Sequence, residues 1–190
     1  MSYLIHAIAE NSDAFAFDEL YRHYFPGLLS FACSFVKKDM PAEEIIEDVF
    51  VKLWANRSIL PAIHNLSHYL YVATKHACIN YLKSSQNVVF DEIGDALLFS
   101  YRTPEAEIIS NENVEKILRI VNALPPKCRL VFRLIKEEGM KYSEVAQLLN
   151  ISEKTVNAQM TIAFARIVDC LEKELPEYRQ HFSRKRSGRP

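Results

Sequence analysis

The chain has 190 residues, a formal net charge of −1 at pH 7 and only 4 glycines. That length suits one or two domains, and Gly27, Gly94, Gly139 and Gly188 stand too far apart to form GxGxxG or GxxxxGK followed by Ser or Thr, so no glycine-rich phosphate cradle is encoded. Common nucleotide-dependent enzymes are therefore disfavoured, whereas a net charge near zero is silent about polyanionic partners because opposed segments can cancel.

Helical periodicity runs along most of the chain and no sustained alternation of period two is found, which predicts an all-α fold. Ser12 or Asp13 caps a first helix carrying Phe15, Leu20, Tyr21 and Tyr24, and Pro26 fits the first turn of a second, with Leu28, Phe31, Phe35 and Val36. Pro41 opens the next helix, with Glu43 and Glu44 in its first turn, where the positive end of the dipole favours them. Its apolar face is Ile45, Ile46, Val49, Phe50, Leu53 and Trp54; Glu47, Asp48 and Lys52 fall opposite. A short connection around Pro61 leads into an aromatic, weakly basic helix over 67–83, with Leu70, Ala73, Ala77 and Tyr81 at three- and four-residue steps.

Composition shifts after residue 86. Between Asn87 and Glu115 seven acidic residues face Arg102 alone, although Val88, Phe90, Leu97, Leu98 and Phe99 keep the stretch from being plain solvated coil. Four more helices are expected over 113–123, 126–138, 142–149 and 153–174, and the tail from Pro176 is cationic. The expected organisation is thus 1–86, an acidic linker over 87–112, a second helical domain over 113–175 and a basic tail over 176–190.

The sharpest local pattern is Tyr142 to Arg166. Val145, Ala146, Leu149, Ile151, Val156 and Met160 are spaced as the inner positions of a helix-turn-helix, Asn150 sits where the turn needs a left-handed residue, and Ser152 can cap the second helix. Lys154, Thr155, Asn157, Ala158, Gln159 and Thr161 then face outward. These groups suit a major groove: Asn and Gln pair with adenine edges, Lys with guanine or phosphate, Ala and the Thr methyl with thymine. An ordinary helical hairpin with a polar face has the same spacing, but charge favours DNA. From Lys116 to Leu175 there are ten basic and seven acidic residues, and the tail adds five basic residues against Glu177.

On or just before the aromatic helix, His64, Tyr69, Tyr71, Lys75, His76, Asn80 and Lys83 interleave rings and cations, as unstacked single-stranded bases require. On periodicity alone Tyr69 and Tyr71 read rather as amphipathic core and rim residues, since aromatic stripes commonly pack in cores. His64 and His68 have the spacing of a metal pair, but HNLSH lacks the glutamate of HExxH and a third ligand, so no metal is expected. No Ser/His/Asp or Cys/His grouping has local support, hence neither catalysis nor a cofactor is expected. The four cysteines, more than 40 residues apart and without CxxC, read as small apolar side chains in a cytoplasmic protein. The longest near-apolar run, 28–36, is too short to insert into a membrane.

Three blocks in order resemble the small extracytoplasmic-function sigma factors of RNA polymerase, in particular their Bacteroidetes-like branch. FDELYRHYFPGLLSFACSFV with AEEIIEDVFVKLW is similar to the start of the family's sigma-two domain, LSHYLYVATKHACINYLK to its promoter-melting helix, and LPPKCRLVFRLIKEEGMKYSEVAQLLNISEKTVNAQM to its sigma-four domain. The resemblance implies that Glu47, Asp48, Phe50, Leu53 and Trp54 clasp the clamp coiled coil of the polymerase's largest subunit. It implies that His64, Asn65, Tyr69, Tyr71, Lys75, His76, Asn80 and Lys83 lie near an unpaired base of the minus-ten element. Lys154, Thr155, Asn157, Ala158, Gln159 and Thr161 would read the minus-thirty-five element, and the acidic linker would thread the polymerase channels. An anti-sigma factor is a further partner class the resemblance allows. Two departures stand out: the family commonly has Asn where His76 stands, and often a basic residue or His near Gln159. The competing expectation is a stand-alone helix-turn-helix regulator whose N-terminal helices bind a ligand or dimerise.

Overall fold

The computed structural model describes residues 1–36, 39–84 and 118–174. Every regular element among them is helical, as the periodicity predicts: α1 Ser2–Asn11, α2 Ala14–Val36, α3 Asp39–Ala55, a 3-10 turn Arg57–Ala62, α4 Leu66–Ser84, α5 118–122, α6 Pro126–Lys136, α7 Tyr142–Leu149 and α8 Glu153–Glu174. The acidic linker and the basic tail fall outside the described residues, and with them the charge contrast they carry.

Local chemistry sets the boundaries. Asp13 Oδ1 accepts from the backbone N–H of Phe15 and of Ala16, which caps α2. Ser12, at φ 53°, instead ends α1, an element the periodicity missed. The expected break at Pro26 is absent: α2 runs through it for 23 residues. Proline removes one hydrogen bond from the ladder, but Leu20, Tyr24, Leu28 and Phe31 on either side are all buried, and one continuous helix keeps them on one core-facing stripe. Asn65 Oδ1 accepts from the His68 N–H and caps α4. The buried stripe of α4 is Ser67, Leu70, Tyr71, Thr74 and Cys78, whereas Ala73 and Ala77 are half-buried and Tyr81 is exposed.

Helices α1 to α4 pack around Ile8, Leu20, Leu28, Phe31, Ile46, Leu53, Leu60 and Leu70, all essentially without solvent contact. Phe31 sits between Phe35 and Tyr71, with ring centroids 5.1 and 5.0 Å away. The second helical group is built on α6, α7 and α8, with Leu134, Val145, Leu148, Val156 and Met160 interior. Its apolar cluster is continuous with that of the first group, and a smaller one gathers Val121, Leu124, Cys128 and Ala163. Gly139, at φ 67°, turns the chain from α6 to α7.

The groups meet where α7 lies on α4. Lys75 Nζ donates to the Leu148 carbonyl at 2.8 Å, a cation on the free, electronegative end of a helix. Asn65 Nδ2 donates to Glu144 Oε2 at 2.9 Å, and the same oxygen takes the Lys141 backbone N–H at the start of α7. Tyr71 Oη donates to Glu138 Oε1 at 3.1 Å.

Candidate nucleic-acid interface

The helix-turn-helix follows its sequence closely. Asn150 adopts φ 54°, ψ 46°, the left-handed geometry the turn demands, and Ser152 Oγ accepts from the Thr155 N–H at 3.0 Å to cap α8. Val145, Ala146, Leu149, Val156, Met160 and Ala163 are buried and Ile151 is half-buried, so α8 is held by one face only. Lys154, Thr155, Asn157, Ala158 and Thr161 are exposed together on the other. Gln159 departs from this set: it is half-buried and turned toward α6, where its Oε1 accepts from the Cys128 thiol at 3.0 Å. Farther along α8, Ile162 and Phe164 are partly exposed; the Phe164 ring lies edge-on to Phe132 and carries the Lys136 ammonium 5.5 Å above it.

The residues expected near the minus-ten element divide into two groups. His64, Tyr69, His76, Asn80 and Lys83 are exposed. Asn65 and Lys75 are half-buried beneath α7 with the hydrogen bonds given above, and burial lowers the Lys75 pKa. Tyr71 is 1% exposed, packed edge-on against Phe31 with its hydroxyl on Glu138. In this arrangement it is a core residue, out of reach of a base, because the helical turn that exposes Tyr69 points Tyr71 inward.

On the far side, α2 and α3 form an open apolar groove of about 540 Å³ lined by Ala14, Phe17, Tyr21, Glu47, Phe50, Val51 and Trp54. Phe17 lies 4.8 Å from Trp54, and Tyr21 lies 4.8 Å from Phe50, between ring centroids. Arg57 lies over the Trp54 ring at 5.0 Å and donates to the Trp54 carbonyl and Ser12 Oγ, which fixes the indole. Glu47 and Asp48 are exposed beside it. Burial first, then Glu47 and Glu43, push the Tyr21 hydroxyl pKa up, so the groove carries a negative rim. Leu53 is 1% exposed, within the core, and is not among the residues that line the groove. Sequence reasoning missed Phe17, Tyr21 and Val51 here; the four-residue spacing of Phe17 and Tyr21 was the available signal. It also missed Glu138, Glu144 and Cys128, whose partners lie far away in sequence.

Among the described residues no group of His, Cys, Asp and Glu could hold a metal ion, and no helix is long and apolar enough to cross a membrane. Cys33, Cys78 and Cys128 are buried and Cys170 is half-exposed. Burial, with Cys33 nearby, pushes the Cys78 thiol up to about 12. The expected result with iodoacetamide at about pH 8, where only thiolates react, is modification of Cys170 in the native chain and of Cys78 only after denaturant, read by peptide mass spectrometry. Native labelling of Cys78 as fast as Cys170 would contradict this packing.

Comparison with known proteins agrees with the three sequence blocks. The family model for sigma-70 region 2 matches residues 20–88, and that for sigma-70 region 4 matches residues 114–167, together more than half of the chain. RNA polymerase sigma factor NccH of Alcaligenes xylosoxydans xylosoxydans is 24% identical over 169 residues, covering 86% of this chain and 91% of that protein. Among solved structures, the sigma factor RpoE of Bartonella quintana, crystallised with the anti-sigma factor NepR, is similar at 19% identity and a TM-score of 0.48, over 83% of this chain and 98% of that one. CnrH, solved with the cytosolic domain of CnrY, is similar at 19% identity and a TM-score of 0.45, over 91% of this chain and 97% of that one. With region 2 on α2 to α4 and region 4 on the helix-turn-helix, the chain belongs to the sigma-70 family and is a sigma factor of transcription.

Proposed function

We propose that this sigma factor binds core RNA polymerase through the α2–α3 groove and directs initiation at promoters whose minus-thirty-five element is read by α8 and whose minus-ten element is taken up, melted, along α4. The observation that carries this reading is the pairing, in one chain, of an acid-rimmed aromatic groove with a helix-turn-helix whose recognition face is free of packing. The groove suits a basic helical partner, the clamp coiled coil of the largest subunit. Lys154, Thr155, Asn157, Ala158 and Thr161 supply short polar and amide groups of major-groove chemistry. Asn65 and Lys75 are bonded to α7, so their use on DNA requires α7 to move off α4 and hand those bonds to the nucleic acid.

Lys154 is the only cation in the first two turns of α8, so affinity for free duplex is weak, and placement of both regions on one promoter by the polymerase raises it through effective concentration. Multi-round transcription with purified core polymerase tests the proposal: promoter-specific transcripts support it, and their absence with retained duplex binding favours a stand-alone regulator. Lys154→Ala is expected to lower the salt slope of promoter binding by about one if the ammonium meets phosphate, or to relax preference at one base pair if it reads guanine. Titration of holoenzyme binding against salt distinguishes the two, and an unchanged slope with unchanged preference removes Lys154 from the interface.

A further inference from the structure

Gln159 lies on the recognition helix between Asn157 and Thr161, yet its side chain is not presented as theirs are. Its amide oxygen is occupied within the protein by the thiol of Cys128, on the neighbouring helix α6, at 3.0 Å. Cys128 itself is 3% exposed, in the small cluster with Val121, Leu124 and Ala163, so its position is set by core packing and not by the side chain it touches. Burial also raises the thiol pKa, more than Arg166 lowers it, so the group stays a protonated donor.

A glutamine reads adenine by using both ends of its amide, the oxygen accepting from N6 and the nitrogen donating to N7. The oxygen keeps a second lone pair, but its bond to Cys128 turns it toward α6, so the two N–H donors are the end of the amide left to meet a base edge. Donors alone fit acceptor-only edges, guanine N7 and O6 or thymine O4, and do not complete the adenine pair. We propose that Cys128 is a positioning residue for promoter specificity: by holding the Gln159 carbonyl it turns Gln159 into a donor-only reader and removes adenine from its preferred bases. This rests on the reading that α8 faces the minus-thirty-five element. It places a determinant of sequence preference on a helix that does not enter the groove.

The test uses holoenzyme assembled from the full chain and core polymerase, with a promoter library randomised across the minus-thirty-five element. Cys128→Val keeps the site apolar and removes the donor, whereas Cys128→Ser keeps a donor. Thermal melting of each variant checks that it folds. The expected result is that Cys128→Val gains preference for adenine at a single base pair on the order of tenfold, that Cys128→Ser keeps the parental preference, and that the gain disappears when Gln159→Ala is added. A uniform loss across the library, no change with Cys128→Val, or an adenine gain that survives Gln159→Ala would each overturn the proposal. A parental holoenzyme indifferent to every minus-thirty-five base would instead overturn the underlying placement of α8, and this outcome is separate because it is read before any Cys128 variant is made.

Discussion

Trp54→Ala is expected to weaken binding to core polymerase by roughly 30-fold or more, the scale of about 2 kcal/mol or greater seen when a central interface tryptophan is truncated. The indole is half-exposed at the edge of the α2–α3 groove, packed on Phe17 and held by Arg57. It therefore presents a rigid apolar face with its orientation already fixed, and little conformational freedom is lost when a partner docks. The same substitution at Phe50 would be a poor probe. Phe50 is 3% exposed between Phe17 and Tyr21, and its truncation costs about 3 to 5 kcal/mol of fold stability. Fluorescence anisotropy of labelled sigma against core polymerase measures the effect. Charge reversal at exposed Glu47 and Asp48 should act mainly on the association rate and its salt dependence, as rim charges do. Binding by Trp54→Ala at parental strength, with an unchanged melting temperature, would remove the groove from the polymerase interface.

The seam between the two helical groups is the second place where one atom matters. A Cβ on Gly27 would stand 2.6 Å from Tyr71 Oη and 3.1 Å from Glu138 Oε1. Tyr71 has no room to retreat, being 1% exposed against Phe31. Gly27→Ala is therefore expected to separate Tyr71 from Glu138 at a cost of about 1 to 3 kcal/mol, lowering the melting temperature by roughly 2 to 10 °C. If the methyl enters without loss of stability, the seam is looser than this geometry describes.

Glu138 gives the same seam a pH dependence. Burial raises its pKa from the ordinary 4.5, against the downward pull of the hydrogen bonds from Tyr71 and Ser67 and of His23, with Glu137 adding to the rise. Tyr24, bonded to Ser67 from α2, is a further titratable group that faces it. A raised carboxyl pKa means the folded form holds its proton more tightly. Its contribution is complete below the unfolded value and is lost as pH climbs from 4.5 through the folded value. Glu138→Gln can still accept from Tyr71 but has no charge to desolvate. Denaturant titrations across the mildly acidic range should show that this variant lacks the decline seen in the parent. Parallel profiles would mean that Glu138 is solvated.

Legibility from sequence followed the range of the interactions involved. The turn at Asn150, the Ser152 and Asp13 caps and the spans of α7 and α8 depend on hydrogen bonds between residues a few positions apart, and they stand where the residue types place them. Pro26 misled because the cost of one missing hydrogen bond is local, whereas the gain from a continuous buried stripe from Leu20 to Phe31 comes from other helices. Tyr71 misled for a related reason. Its aromatic ring and its neighbours' charges suit a base, but Phe31 and Glu138 surround it, and neither is near it in the chain.

The sequence by itself thus determined the helical class, the order of the two regions, the helix-turn-helix and the family to which they belong, since periodicity, capping and motif order are properties of neighbouring residues. Only the tertiary structure decided which member of each pattern faces outward. It turned Gln159 toward Cys128, drew Asn65 and Lys75 under α7, sank Leu53 into the core and brought Phe17 and Tyr21 to the wall of the groove. A helical period locates a stripe to within about a quarter turn, and the neighbouring helix, through volume and unpaired hydrogen-bonding groups, selects the side chains within that stripe that remain available to a partner.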